Sequence, residues 1–330
     1  TQAEVDAAQF PETISPDQNN AGMSGTQGYL LQQVRTELAA KEVISPEQMD
    51  VGGYHIVTTL DVDLQAAAEA APDVMPEDTP DYVRLALSSI DNETGGIVAE
   101  YPGSNYQEVQ TNAVTQDIAM AGSSFKPFGL LSAIEQGASL NETFNGNSPV
   151  EVADLEVANN DNISFGWINL TRALKYSVNT VFAEMNYEYG SIATMDTLIR
   201  AGIPEDTLGL DDTVLNVLGF ASPHNIDLAR AYATLATGGE RLDIHMVDSV
   251  KNAHGSTIYQ SENTRERVFE VEDVSAIMPA LQAVVETGGT GEAVEELGIE
   301  AGGKTGTSEE QKSALFVGFT PQVTTAVSMY

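Results

Sequence analysis

Strand-forming residues lie at two distant stretches of the chain, with helices between them. Leu85–Ile90 and Ile97–Tyr101 flank the turn sequence Asp91-Asn92-Glu93-Thr94-Gly95-Gly96, which predicts a hairpin. Ala314–Phe319 and Val323–Tyr330, separated by Thr320-Pro321-Gln322, predict two closing strands. The intervening residues carry helical spacing: Phe125, Phe128, Leu131 and Ile134, stopping at Gly137; Leu170, Leu174, Val178, Val181 and Met185; and Val274–Val285. A hairpin, then helices, then strands is an α+β pattern. It predicts a mainly antiparallel sheet covered by helices on both faces, not alternating βαβ units.

Upstream of the hairpin, residues 1–28 are polar and rich in turn formers. Tyr29–Ala40 has helical spacing (Leu31, Val34, Leu38). Tyr54–Thr59 reads as a strand after Gly52-Gly53, Leu64–Ala71 as an alanine-rich helix, and Pro72–Pro80 as an acidic linker.

Three short strings carry the chemistry. Ser123-Ser124-Phe125-Lys126 is S-x-x-K, Ser177-Val178-Asn179 is S-x-N, and Lys304-Thr305-Gly306-Thr307 contains K-T-G. The chain has six lysines, at 41, 126, 175, 251, 304 and 312, so two of the six sit in motifs. Chance would supply a K-T-G ~0.04 times, an S-x-x-K ~0.4 times and an S-x-N about once. The first is specific, the second moderately so, and the third informative only beside the others.

A serine hydroxyl needs a neighbouring base to act as a nucleophile. Residues i and i+3 of a helix share a face, so Ser123 and Lys126 meet if a helix begins near Ser123. Gly122 before it and Pro127 in the first turn favour that start. The bland alternative is an ordinary serine and lysine at a helix end. Burial of Lys126 near another cation would lower its pKa enough for it to serve as the base. A lysine and two hydroxyls on an edge strand suit a carboxylate, with Gly306 allowing close approach of a ligand backbone.

Gly298-Ile299-Glu300-Ala301-Gly302-Gly303-Lys304-Thr305 also satisfies the P-loop pattern. Context argues against nucleotide binding: no buried strand precedes it, and a strand rather than a helix follows.

Composition closes off other classes. The net charge of −35 over 330 residues opposes nucleic acid and anionic membrane surfaces. Without cysteine there is no thiolate chemistry, and the four histidines (55, 224, 245, 254) lack paired spacing, so no metal or other cofactor is expected. No G-x-S-x-G elbow occurs. The acidic stretches Asp154–Asp161 and Glu205–Asp212 read as solvated turns. No apolar run reaches the ~18 residues of a spanning helix.

Ala121-Gly122-Ser123-Ser124-Phe125-Lys126-Pro127-Phe128, Tyr176–Phe182 and Gly303–Thr307 resemble class A, bifunctional penicillin-binding proteins. Supporting similarity runs through Gly52–Asp61, Ala229–Ala236 and Phe316–Gln322, and extends from about residue 50 to 330. The resemblance implies a β-lactamase/transpeptidase-like fold and a peptidoglycan DD-transpeptidase. Ser123 would attack the D-Ala–D-Ala bond of a stem peptide while Lys126 takes its proton, with the backbone N–H groups of Ser123 and Thr307 as the oxyanion hole. Ser177 would relay a proton to the leaving D-alanine and Asn179 would position the substrate amide. Lys304, Thr305 and Thr307 would hold the terminal carboxylate, and β-lactams would acylate Ser123.

It also implies a domain at 81–330 behind an interdomain linker at 29–80, with residues 1–28 retaining the end of a glycosyltransferase domain around Thr1–Pro11. Glycan polymerisation is therefore not expected. The site of action is the outer side of the cytoplasmic membrane, with membrane attachment only through an N-terminal anchor outside this chain. The family continues past Tyr330 into a C-terminal helix. Ser313 and Leu315 stand where relatives often carry Asp and Trp. The rival enzyme readings are a serine β-lactamase, which needs an additional base such as a glutamate, and a DD-carboxypeptidase. The non-enzymatic rival is a β-lactam sensor acylated once.

Overall fold

In the computed structural model, which describes residues 23–308 and 312–330, the hairpin and the closing strands join in one five-stranded sheet. Its strands are β1 (Leu85–Asp91), β2 (Ile97–Tyr101), β3 (Gly302–Thr307), β4 (Ala314–Phe319) and β5 (Val323–Met329), in the order β3-β4-β5-β1-β2. Every pairing is antiparallel, and β5 pairs with β1 from Val323↔Asp91 to Met329↔Leu85. The expected hairpin turn is held by Asp91, whose Oδ1 accepts from Glu93 N–H, Thr94 N–H and Thr94 Oγ1. The glycosyltransferase remnant expected at the start of the chain lies outside the described residues as far as residue 22.

The period-2 rule assigns the side chains to two faces. One face carries Ala86, Ser88 and Ile90 from β1, Thr324, Ala326 and Ser328 from β5, and Leu315, Val317 and Phe319 from β4, all buried. The other carries half-buried Leu87, Phe316, Val323, Thr325 and Val327.

Helices α1 (Lys126–Glu135), α2 (Leu170–Lys175), α3 (Asn179–Tyr189), α4 (Asn225–Ala236) and α5 (Val271–Val285) build the rest of the core. Helix α4 crosses β1, β4 and β5, and its Asn225 is anchored inside the core. Asn225 Nδ2 donates to Ser328 Oγ (2.9 Å) and its Oδ1 accepts from Ser88 Oγ (2.7 Å). The spacing of α1 predicted one apolar face, yet every residue from Lys126 to Ile134 is buried. A helix enclosed on all sides is central rather than amphipathic, here between α3, α5 and the helix Ser191–Ala201.

Of the helices that precede the sheet, Gly25–Ala40 and Val62–Ala70 both reach its β2 edge through Glu100. Gln33 Nε2 donates to Glu100 Oε1 (3.0 Å), while the Glu100 backbone N–H and C=O exchange bonds with the Gln65 side chain at 3.0 and 2.9 Å. Glu100 is fully buried and its Oε2 has no partner among the described residues. Burial pushes its carboxyl up to about 8, opposed by the Gln33 bond and reinforced by Glu37.

The folded pKa therefore lies above the unfolded one. The contribution is fully present at low pH and is lost as pH rises from about 4.5 to 8, at about 1.4 kcal/mol per unit. Glu100→Gln should remove that slope. Melts of parent and variant between pH 5 and pH 8.5 should show the variant gaining stability relative to the parent as pH rises.

Candidate active site

Lys304 and Glu100 occupy opposite ends of one cross-strand row: Lys304↔Val317, Val317↔Ala326, Ala326↔Ser88, Ser88↔Glu100. The Lys304 end is the site. Strand β3 is the free edge of the sheet, as the K-T-G reading required, and Lys304 points from it into the helical layer with no exposure. The P-loop alternative is excluded by the same placement, because Lys304 lies inside a strand and β4 follows it.

The S-x-x-K string crosses a boundary between two helix types. Gly122–Phe125 forms a 3₁₀ turn, and the α-helix begins at Lys126, three residues later than the sequence suggested. Pro127 explains the difference. It has no N–H with which to close an α-type bond onto the Ser123 carbonyl, so the Lys126 N–H closes the tighter bond instead. Gly122, at φ +53°, lets this turn lie against the end of β3, for a Cβ there would sit 2.5 Å from the Thr307 carbonyl oxygen. The backbones of the Ser123 turn and Thr307 are thereby neighbours. Tyr232, fully buried on α4, donates to the Ser124 carbonyl at 2.6 Å and holds the turn from behind.

The S-x-N string breaks what the spacing suggested was a continuous helical pattern. Ser177 N–H bonds Leu174 O (3.1 Å) and Val178 N–H bonds Ala173 O (2.9 Å), a Schellman ending to α2, and α3 starts at Asn179. Ser177 occupies the position of that motif where glycine is usual, at φ +56°. Holding an L-residue there costs about 1–2 kcal/mol. The geometry places its carbonyl and hydroxyl on the two lysines.

Lys126 Nζ donates to Ser177 O (2.6 Å), Asn179 Oδ1 (2.7 Å) and Ser177 Oγ (3.2 Å), and it lies 5.6 Å from the Phe182 ring centroid. Lys304 Nζ donates to the same Ser177 Oγ at 2.9 Å and to Thr305 O at 2.9 Å. Both lysines are completely buried. Burial, then the neighbouring Lys304, holds Lys126 well below the usual ammonium range; burial alone brings Lys304 down to about 7. A neutral lysine has two N–H bonds. The oxygens of Ser177 and Asn179 absorb both on Lys126, leaving its lone pair as an acceptor.

Ser123 is half-buried, and among the described residues its hydroxyl makes no hydrogen bond, to Lys126 or otherwise. Thr305 Oγ1 bonds Thr290 Oγ1 (2.7 Å), and Thr307 is exposed beside the turn. Gly306 has a more local reason than the ligand approach expected of it. Its bare face is filled by the chain's own Ala121 carbonyl, 2.6 Å from where a Cβ would stand. Among the described residues no cluster of side chains could hold a metal ion.

Two residues that touch this machinery escaped sequence reasoning. Thr290 lies in a glycine-rich turn, and Asn159 lies in the acidic stretch read as solvated. That reading fails at Asn159, which is buried and accepts from the Thr180 N–H at 3.0 Å. No periodicity marks either residue, because both act across the fold.

With this geometry in view, the comparisons agree. Residues 89–330 match the family described as the penicillin binding protein transpeptidase domain. The chain is 31% identical to penicillin-binding protein 1A of Mycolicibacterium smegmatis, over 99% of this chain and 44% of that protein. It is equally identical to penicillin-binding protein 1A of Mycobacterium tuberculosis, over 96% and 41%. Its fold is similar to the solved penicillin-binding protein PonA1 from Mycobacterium tuberculosis, with a TM-score of 0.81 and 29% identity over 92% of this chain and 83% of that one. A second structure of PonA1, in complex with penicillin V, matches equally well. The chain belongs to the penicillin-binding protein transpeptidase family, and the resemblance to class A members is borne out. It spans less than half the length of the curated relatives it matches.

The left-handed backbone at Ser177 separates two effects of substitution. Ser177→Ala and Ser177→Gly both delete the shared hydroxyl, but only glycine relieves the positive φ. Ser177→Gly should be more stable than Ser177→Ala by about 1 kcal/mol, measured by denaturant titration, with acylation impaired in both.

Proposed function

We propose that this chain is the serine acyl-transferase of a class A penicillin-binding protein, joining peptidoglycan stem peptides through an ester on Ser123. The observation that carries the reading is the convergence of three distant segments on one hydroxyl, Ser177 Oγ, bonded by both Lys126 and Lys304. On this reading residues 81–330 are the transpeptidase domain and 29–80 the linker before it. Its place of work is the outer face of the cytoplasmic membrane.

In the first step Ser123 Oγ attacks the carbonyl carbon between the two terminal D-alanines, and its proton passes to the Lys126 lone pair. The oxyanion is held by the backbone N–H groups of Ser123 and Thr307, which preorganise charge stabilisation where the negative charge develops. The N–H of Ser123 belongs to the first turn of a helix, where such groups lack intrahelical partners. The C–N bond then breaks. The departing D-alanine nitrogen takes a proton from Lys126 through the Ser177 hydroxyl, whose two lysine neighbours hold it on that line. Lys304, Thr305 and Thr307 bind the terminal carboxylate along the free edge of β3, where an extended peptide can also pair with the strand. Asn179, with its oxygen committed to Lys126, orients the substrate amide from the opposite wall. An acceptor amine from a second stem peptide then attacks the ester and regenerates Ser123. A β-lactam opens at the same serine but leaves no small amine to depart, so its ester persists.

The test is intact mass measured over time with penicillin, for the parent beside Ser123→Ala. One lasting adduct on the parent and none on the variant is expected. Rapid loss of free penicillin without an adduct would assign the chain to the β-lactamases. Acylation by penicillin with no turnover of a D-Ala–D-Ala peptide would make it a sensor, and release of D-alanine to water alone a carboxypeptidase. A folded parent giving neither adduct nor turnover would overturn serine acyl transfer altogether.

A further inference from the structure

We propose that Asn159 is a positioning residue for Lys126: it fixes the Ala158 carbonyl against the side-chain amide of Asn179, and so determines which end of that amide faces the lysine. The proposal rests on the acyl-enzyme reading above.

Asn159 is 6% exposed and uses both side-chain N–H bonds and its side-chain oxygen at a junction of three segments. Its Nδ2 donates to Gly146 O (3.1 Å) and Ile163 O (2.9 Å), clamping the lobe that runs from residue 145 to 165. Its backbone N–H donates to Ser148 Oγ at 2.9 Å. Its Oδ1 accepts from the Thr180 N–H at 3.0 Å, in the first turn of α3. That helix has Val178 at its N-cap, which has no polar side chain to offer, so Asn159 supplies the cap from a distant segment.

The peptide unit joining Ala158 to Asn159 is thus held in place, and Ala158 O accepts from Asn179 Nδ2 at 3.0 Å. An amide has one accepting and one donating end. With its donor end on Ala158, Asn179 must turn its oxygen to Lys126, as the 2.7 Å bond records. Reversed, the amide would aim N–H bonds at the lysine. They would occupy its lone pair when it is neutral and repel it when it is charged. The groups facing Lys126 from the surrounding elements are Lys304 on β3, the Phe182 ring on α3, and the Ser177 and Asn179 oxygens. Among the described residues no carboxylate bears on it.

The experiment follows acylation by a fluorescent penicillin in stopped flow, between pH 5 and pH 9. It compares the parent, Asn159→Ala, Ser164→Ala, Asn179→Ala and the Asn159→Ala/Asn179→Ala pair. Ser164 braces the same lobe through Ser148 without touching Asn159 by side chain, so Ser164→Ala serves as the control for loosening alone.

Asn159→Ala should lower the limiting acylation rate roughly 10- to 100-fold with the initial binding constant unchanged. Its acid limb should move to lower pH, because the ammonium form loses an acceptor. Ser164→Ala should lower Tm and leave the limb in place. In the Asn179→Ala background the Asn159 substitution should add less than about twofold, since both act through one amide. A limb superimposed on the parent's, or the full loss persisting without Asn179, would overturn the proposal. If Asn159→Ala does not fold, Asn159→Asp keeps the acceptor for the Thr180 N–H, and its rate loss must likewise vanish without Asn179. A folded parent that takes no label refutes the acyl-enzyme reading itself, a result distinct from any failure of the variants.

Discussion

Two fully buried lysine side chains meet on one serine hydroxyl, and the architecture around the site serves that meeting. Burying one ammonium group costs several kcal/mol and burying two side by side costs more, so the fold satisfies the pair by loss of a proton. Lys126 is the member whose environment favours neutrality more strongly, since it bears both burial and the Lys304 charge. Its helix is enclosed on every side, which keeps water from the amine. Ser177 is held in a left-handed conformation, so that its carbonyl and hydroxyl both reach Lys126. Gly122 and Gly306 let backbone lie on backbone where the turn meets β3.

The legible parts of this protein were those that repeat locally or occur rarely. The hairpin at 85–101 and the edge placement of Lys304-Thr305-Gly306 followed from alternation and from turn residues. A lysine-poor composition made the K-T-G string stand out. What stayed hidden depended on tertiary context. The spacing Leu170, Leu174, Val178, Val181, Met185 fits a continuous helix, yet the chain breaks at Ser177 because a glycine-type position has been filled by a serine that Lys126 contacts. Pro127 in the first helical turn is a start signal, and the helix does begin there. That it would displace Ser123 into a 3₁₀ turn needed the bond from Lys126 N–H to Ser123 O. Asn159 was masked by its acidic neighbours, which are solvated; one buried amide among exposed carboxylates leaves no pattern. Glu100 was similarly silent. A register shift between β1 and β2 leaves Ala99 and Glu100 buried side by side, and strict alternation from Ile97 and Ala99 would have put the glutamate on the other, outward face.

Charge is distributed against the site. The chain carries a net charge of −35, while the site is built on two lysines whose charge is suppressed by burial. A carboxylate-bearing ligand approaches through a repulsive field and meets an attractive one only at contact. Long-range steering therefore works against such a ligand, and salt should ease its encounter. On the proposed reading, recognition of that carboxylate would rest on short-range bonds to β3 and Lys304, which salt screens less than the long-range field.

The two ends of the buried row across the sheet then pull in opposite directions with pH. Glu100 contributes most while protonated, so its end of the sheet loses stability as pH rises toward 8. The lysine end behaves in reverse. Lys304, brought down to about 7 from an ordinary 10.5, is neutral in the fold and charged in the unfolded chain between those values, so its penalty diminishes as pH rises through that interval. At neutral pH the fold carries most of both penalties. Lys126, lowered in the same direction by burial and by Lys304, bears a penalty of the same sign at the amine that the proposed mechanism uses as base, because an amine that kept its ordinary pKa would hold its proton and could not take one from Ser123. The stability given up at that end is the same free energy that makes the base available, and the rest of the core supplies the margin for it.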